Sequence, residues 1–309
     1  MVDVKEIKSV KLAPFTLMSA SIHAILAFIG AILLLIALGA VAAVIPQFQV
    51  IASVITLTGL ALVVIAPIAS FFIFLALSFF GALIYNLLVP RLGGIKLGLE
   101  GNKVTEIPIV PFALILAAIQ AIGAFIAGLF LAAAIAPAIA AISGSIPVIS
   151  QAIANATNAT GAAMPTGQLV ALGGTVTAIV LIIVVPILVF IFGFIANALT
   201  AIFYNYIATR VTKIQLDFAA VTGSLHELKS IPVVPAALAV AVVATVWGFL
   251  SGLGNLISLS ANGSAVAGVI SLISSIIGSF IEYFIIAALI AILYNFLAPR
   301  IGGVKLDIE

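Results

Sequence analysis

The stretch YNFLAPRIGGVKLDIE, Tyr294 to Glu309, decides how this chain is read, because versions of it stand twice more upstream. They are YNLLVPRLGGIKLGLE, Tyr85 to Glu100, and YNYIATRVTKIQLDFA, Tyr204 to Ala219. A second echo lies ahead of the intervening apolar tracts: EIKSVKLAP (Glu6 to Pro14), KVTEIPIVP (Lys103 to Pro111) and ELKSIPVVP (Glu227 to Pro235). Each ends in a proline at the start of an apolar run, where a missing N–H costs a helix nothing and the fixed φ suits its first turn. The chain therefore reads as three copies of one unit, residues 1–100, 101–219 and 220–309.

Composition says what that unit is. Of the 309 residues, 65% are hydrophobic and 6% charged, against about 25% charged in soluble domains. This is the composition of an integral membrane protein. With no cysteine, disulfides, thiolate metal sites, iron–sulfur clusters and cysteine nucleophiles are excluded. The eleven Lys and Arg fall in short clusters: Lys5, Lys8 and Lys11; Arg91, Lys96 and Lys103; Arg210, Lys213 and Lys229; Arg300 and Lys305. Each apolar tract between clusters is long enough for two crossings at about 20 residues apiece. Two crossings return the chain to its starting side, and the positive-inside rule makes that side the cytoplasm. The expected fold is an all-α integral membrane protein of six transmembrane helices, arranged as three parallel two-helix repeats about a pseudo-threefold axis, with short cytoplasmic β-hairpins and both termini inside. The expected location is the cell membrane of a prokaryote.

The N-terminal charges followed by LGAVAA (Leu38 to Ala43) imitate a cleavable leader. The internal repeat argues instead for a retained first helix, from about Pro14 to Ile45, with an outer turn at PQFQ near Gln47. The second helix is expected to end at Val89, and the third to run from about Pro111 to Ser143. Residues 143–174, free of charge and rich in Ala, Ser, Thr, Asn and Gly, read as a long outer loop or a pair of short interfacial helices. The last three helices are expected near Thr175–Thr209, Pro235–Ile257 and Ala267–Ala298. Three sequons at Asn155, Asn158 and Asn262 fall in the outer loops of this topology and are candidate glycosylation acceptors.

After each even-numbered helix the pattern changes from helical to alternating. Ile95, Leu97 and Leu99 oppose Lys96, Gly98 and Glu100; the same alternation runs through Ile214–Phe218 and Val304–Ile308. Period two argues strand, and Gly93-Gly94 and Gly302-Gly303 mark where two of the helices must stop. A hairpin is expected around Gly101-Asn102, and a looser one joining Ile214–Phe218 to Leu228–Val234. Because open strand edges are a liability, Val4–Leu12 is expected to pair with Val304–Ile308 and close a six-stranded cap. Pro108 and Pro232 must interrupt that pairing, since neither can donate.

The tail formed by YN, six residues, GG and [IV]-x-[VL], carried by Tyr85, Asn86, Gly93 and Gly94 and again by Tyr294, Asn295, Gly302 and Gly303, resembles a small bacterial two-helix transmembrane family of unknown function and uncharacterised archaeal multipass proteins. The middle copy keeps Tyr204 and Asn205 but has Thr212 and Lys213 in place of the glycines. The resemblance implies a two-helix unit with inside termini, and no activity.

Few residues offer chemistry. Asn86, Asn205 and Asn295 recur at one position, either as a polar ring at a pore mouth or as ties between helix ends and neighbouring backbone; the tie is the more economical reading. The tyrosines before them suit an interfacial belt. Glu282 is the one carboxylate inside an expected span and a functional candidate by default, although its place near the outer side suggests contact with water. His23 lies at a different depth, and His226 in a hairpin. Pro67 and Pro186 occupy one repeat position and suggest kinks, and GAFIAG (Gly123 to Gly128) and GFLSGLG (Gly248 to Gly254) permit close helix packing. No metal-protease, phosphate-loop, haem or Ser/His/Asp pattern is present, so no enzyme, cofactor or metal is expected. The expected role is a non-catalytic structural or accessory subunit of a larger membrane assembly, its partners being other membrane subunits, further copies of itself, or lipids, and not nucleic acid. The alternatives are a channel or transporter along the pseudo-threefold axis, and lipid binding or membrane organisation through Lys96, Lys103, Lys213 and Lys229.

Overall fold

A computed structural model describes residues 2–44, 52–157 and 175–309. Six helices among them are long and apolar enough to cross a membrane. In chain order the elements are β1 (Asp3–Val10), α1 (Leu12–Val44), α2 (Ala52–Leu92), β2 (Lys96–Glu100), β3 (Lys103–Glu106) and α3 (Ile109–Thr157). They continue with α4 (Thr175–Val211), β4 (Asp217–Thr222), β5 (Leu225–Ser230), α5 (Val233–Ala261), α6 (Ala265–Ile301) and β6 (Lys305–Ile308).

Two compact units are present, residues 1–115 with 198–309, and residues 116–197. The larger contains all six strands. Within it α1 packs along α2 and α5 along α6, and small residues permit the approach. A side chain on Gly252 would run into Leu272, and one on Gly248 into Ser275 and Ser279. In the smaller unit Gly128 does the same service against the Leu181 backbone, and Asn197 donates to Gln120 at 3.2 Å. Gly123 and Gly254, in the same small-residue runs, meet nothing within 4 Å.

Two expectations change. Helix is unbroken from Ile109 to Thr157, where a loop or interfacial pair was expected to begin at Ser143; the alanines at 152, 154 and 156 favour helix intrinsically, and low hydrophobicity alone does not end one. Residues 158–174 and the PQFQ turn at 45–51 lie outside the described residues. The second hairpin is tighter than expected, with β4 and β5 joined through Gly223 at φ +56°. Glycine's tolerance of that conformation allows the short turn, and Pro232 ends β5 because it lacks a donor.

Pro67 lies inside an uninterrupted α2. Pro186 follows a π-helical turn, Val180–Val184, a local widening that frees the proline ring from the preceding carbonyl. The two prolines, which stand at the same distance before Tyr85 and Tyr204, thus do not share a backbone.

Candidate functional site

The strands form one six-stranded antiparallel sheet in the order β3-β2-β1-β6-β5-β4, and β1 pairs with β6 as expected, through Ile7↔Ile308, Ser9↔Asp307 and Val10↔Leu306. The two ends of that order also meet. Lys103 bridges Gln215 just ahead of β4, with Val104 N–H donating to the Ile214 carbonyl at 2.8 Å and Leu216 N–H to the Asn102 carbonyl at 2.8 Å. These contacts tie the two ends of the sheet order together just ahead of β4, whose own outer side has β5 on one flank only. The same contact joins the hairpins at the other two seams: Ile7 N–H to the Ile95 carbonyl and Leu228 N–H to the Val304 carbonyl, both 2.9 Å.

Beneath each seam sits a tyrosine. Tyr85 Oη donates to the Ile7 carbonyl at 2.5 Å and accepts from Ile95 N–H at 3.0 Å. Tyr204 does the same between Val104 (2.6 Å) and Ile214 (3.1 Å), and Tyr294 between Leu228 (2.6 Å) and Val304 (3.0 Å). One hydroxyl thus satisfies a donor and an acceptor that belong to neighbouring strands. All three rings are at most 5% exposed, so these residues are interior pins and not the interfacial belt their position suggested.

The asparagines complete the joint. Asn86 Oδ1 accepts from Val10 N–H and its Nδ2 donates to the Val10 carbonyl, both at 2.8 Å. Asn205 holds Ile107 in the same way, and Asn295 holds Ile231, every distance again 2.8 Å. A primary amide offers one acceptor and one donor side by side, so it takes the place of a missing strand partner for a single residue. That residue is where strand gives way to the next helix, and its neighbours Pro108 and Pro232 need no N–H partner at all.

A third tie appears in two of the three places. Glu6 Oε1 accepts from Gly94 N–H at 2.8 Å, and Glu227 Oε1 from Gly303 N–H at 2.9 Å. The Gly94 bond is the main reason the Glu6 carboxyl sits below the usual carboxylate range, with Lys8 and Lys96 adding to it. For Glu227 the hydrogen bond from Lys229 leads, and Gly303 follows. The glycines are required: a Cβ on Gly94 would strike the Ile7 carbonyl, and one on Gly303 the Leu228 carbonyl. Both glutamates begin the EIKSVKLAP and ELKSIPVVP echoes, the one signal in the sequence that marks them.

The remaining candidates are scattered. Glu282 is exposed on α6 and has no partner among the described residues. His23 stacks on Phe74 with ring centroids 3.6 Å apart and its Nδ1 lies 2.8 Å from the Ser19 carbonyl of its own helix; His226 contacts the Ser224 carbonyl. Asn262 sits exposed in the turn between α5 and α6, its amide on the Ser258 carbonyl at 2.9 Å. Asn155 falls in the last turns of α3 and Asn158 lies outside the described residues. Of the basic residues considered for lipid, Lys96, Lys213 and Lys229 pair with Glu6, Glu100 and Glu227. Among the described residues no group of three His, Asp or Glu is placed to hold a metal. No protein-family model, curated protein or solved structure matches this chain.

Proposed function

We propose that the chain is a non-catalytic multipass membrane protein built of three parallel two-helix repeats, and that it serves as a structural or accessory subunit of a larger membrane assembly. What carries this reading is the use made of the repeated polar residues. Tyr85, Tyr204 and Tyr294, with Asn86, Asn205 and Asn295, are all engaged by the chain's own backbone. A conduction path would need such groups turned toward a passing solute; here the amides have both ends occupied. The recurring chemistry is spent on joining helix pairs to one sheet, and a rigid head of that kind suits docking better than turnover.

The test is extraction of the tagged full chain from its native membrane in mild detergent, after brief crosslinking. Recovery with a stoichiometric membrane partner, or as a defined homo-oligomer, is the expected result. Recovery as a solitary monomer overturns the proposal.

A further inference from the structure

We propose that the groove between the start of α1 and the middle of α2 holds one anionic phospholipid, whose phosphate sits on Lys11 and whose acyl chain lies along the α2 phenylalanines. This rests on the membrane reading above and adds a specific ligand to it. The groove has a volume of about 610 Å³ and is lined by Leu12, Ala13, Thr16 and Leu17 on one side and by Phe72, Leu75, Ala76, Phe79 and Phe80 on the other. Phe72 and Phe80 are more than half exposed, so the walls are open to whatever surrounds the helices.

Three observations select the occupant. Lys11 immediately precedes the lining residue Leu12, is exposed, and its ammonium has no partner among the described residues. Thr16, in the groove floor and 5% exposed, has a hydroxyl with no hydrogen-bond partner among them. Neither residue belongs to the repeated design. At the positions corresponding to Lys11 the other copies have Pro108 and Pro232, and for Thr16 they have Ala113 and Ala237. A cation and a buried hydroxyl thus occur together, in the one copy, at this groove.

Their spacing matches a lipid. Thr16 lies five positions after Lys11, about 7.5 Å along the axis at 1.5 Å per residue. Glycerol oxygens lie deeper in a bilayer than the phosphate they carry, so an exchange between the two staggered χ1 positions open to threonine in a helix brings its hydroxyl to them. From the Asn86 joint to Phe72 is about 21 Å by the same rise, room for an extended acyl chain. A helix from a second copy would fill the apolar walls but leave both Lys11 and Thr16 unmatched.

The full-length protein is reconstituted in nanodiscs of equal phosphatidylglycerol and phosphatidylcholine, released, and its retained lipid counted by native mass spectrometry. Wild type is expected to retain one phosphatidylglycerol in preference to phosphatidylcholine. Lys11→Gln should lower that retention about fivefold, the factor for one basic residue near an anionic surface. Ala76→Phe, which fills the groove and leaves the charge, should abolish it. Lys103→Gln, equally exposed and with its ammonium unpaired among the described residues, should change nothing. Unaltered helical circular dichroism and Trp247 emission show that each variant is folded. Equal retention of both lipids, Lys11→Gln within twofold of wild type, or Leu17→Cys dimers carrying no lipid would overturn the proposal. Protein partners are scored separately, so a lipid-free groove leaves the subunit reading standing.

Discussion

Replacing Asn295 by aspartate changes one group and nothing of the shape, which makes it the sharpest probe of the joint. The wild-type amide accepts from Ile231 N–H and donates to the Ile231 carbonyl, each at 2.8 Å. A carboxylate keeps the first bond and faces the carbonyl with a second acceptor. Leaving a buried backbone acceptor unpaired costs about 1–3 kcal/mol. Because the joint is half-buried, about 2 kcal/mol, the middle of that range, is expected for Asn295→Asp while the new carboxyl is ionised. Asn295→Leu abandons both backbone groups and should cost about 3 kcal/mol on the same basis. The two variants separate with pH. A protonated carboxyl at this position donates to the carbonyl again, so the Asn295→Asp penalty is full while the group is ionised and shrinks as falling pH protonates it, whereas the leucine penalty stays level. Unfolding by SDS in mixed micelles, followed by emission of Trp247, the only tryptophan, measures the difference; hydrogen exchange at the Ile231 amide localises it. If Asn295→Leu unfolds within about 0.5 kcal/mol of wild type, below the cost of a single lost bond, and Ile231 exchange is unchanged, the amide is no tie and the argument fails.

Closure of the sheet through β1 and β6 predicts that Ser9→Cys with Asp307→Cys, which face each other in register, forms an intramolecular disulfide under mild oxidation, while a cysteine pair at Ser9 and Glu309 does not; equal crosslinking of both pairs would refute the register. Acid should loosen two joints and spare the third. The Glu6 and Glu227 carboxyls are depressed in the folded chain, so their contribution is present above the ordinary carboxylate value of 4.5 and is lost as pH falls below it. Amide resonances of Gly94 and Gly303 should therefore move only as pH falls below 4.5, that of Lys213 should not, and a common shift of all three would count against the assignment.

Much of this was legible beforehand, for reasons tied to particular residues. Period-two alternation after Gly94 and Gly303, with charged residues on one face, identifies strands at a helix end, and the pairing of β1 with β6 follows once open edges are disallowed. The six helices long and apolar enough to cross a membrane follow from bulk hydrophobicity. The sequence leaves two roles open to the asparagines and does not place the tyrosines, because a polar tip on an aromatic ring suits both a wet interface and a buried strand seam; only the partner's position separates them. The continuation of α3 past Ser143 was illegible for a different cause: alanine-rich sequence lowers hydropathy and raises helix propensity at once, and the two signals point opposite ways. The Glu6 and Glu227 ties involve backbone N–H groups, which leave no mark of their own in a sequence.

The joint at Tyr204 and Asn205 shows which of its parts can be exchanged. It lacks both the glutamate and the glycine, with Lys103 and Lys213 in their places. These losses belong together. A side chain at the second glycine position collides with the strand carbonyl in the other two copies, so Lys213 requires the chain to leave its helix by another route. The backbone supplies one: Tyr204–Ala208 is a π-helical turn, which uses up an extra residue, and Thr212 then exits extended at φ −158° where Gly93 and Gly302 need φ of +81° and +87°. The lost tie is replaced across the seam by Lys213 to Glu100 at 3.3 Å and Asn102 to Asp217 at 2.8 Å. Through all of this Tyr204 and Asn205 keep every bond of their counterparts. The helix ending, the glycine pair and the glutamate can be exchanged as a set, whereas the tyrosine and asparagine cannot, since they alone pair backbone groups that each seam leaves without partners.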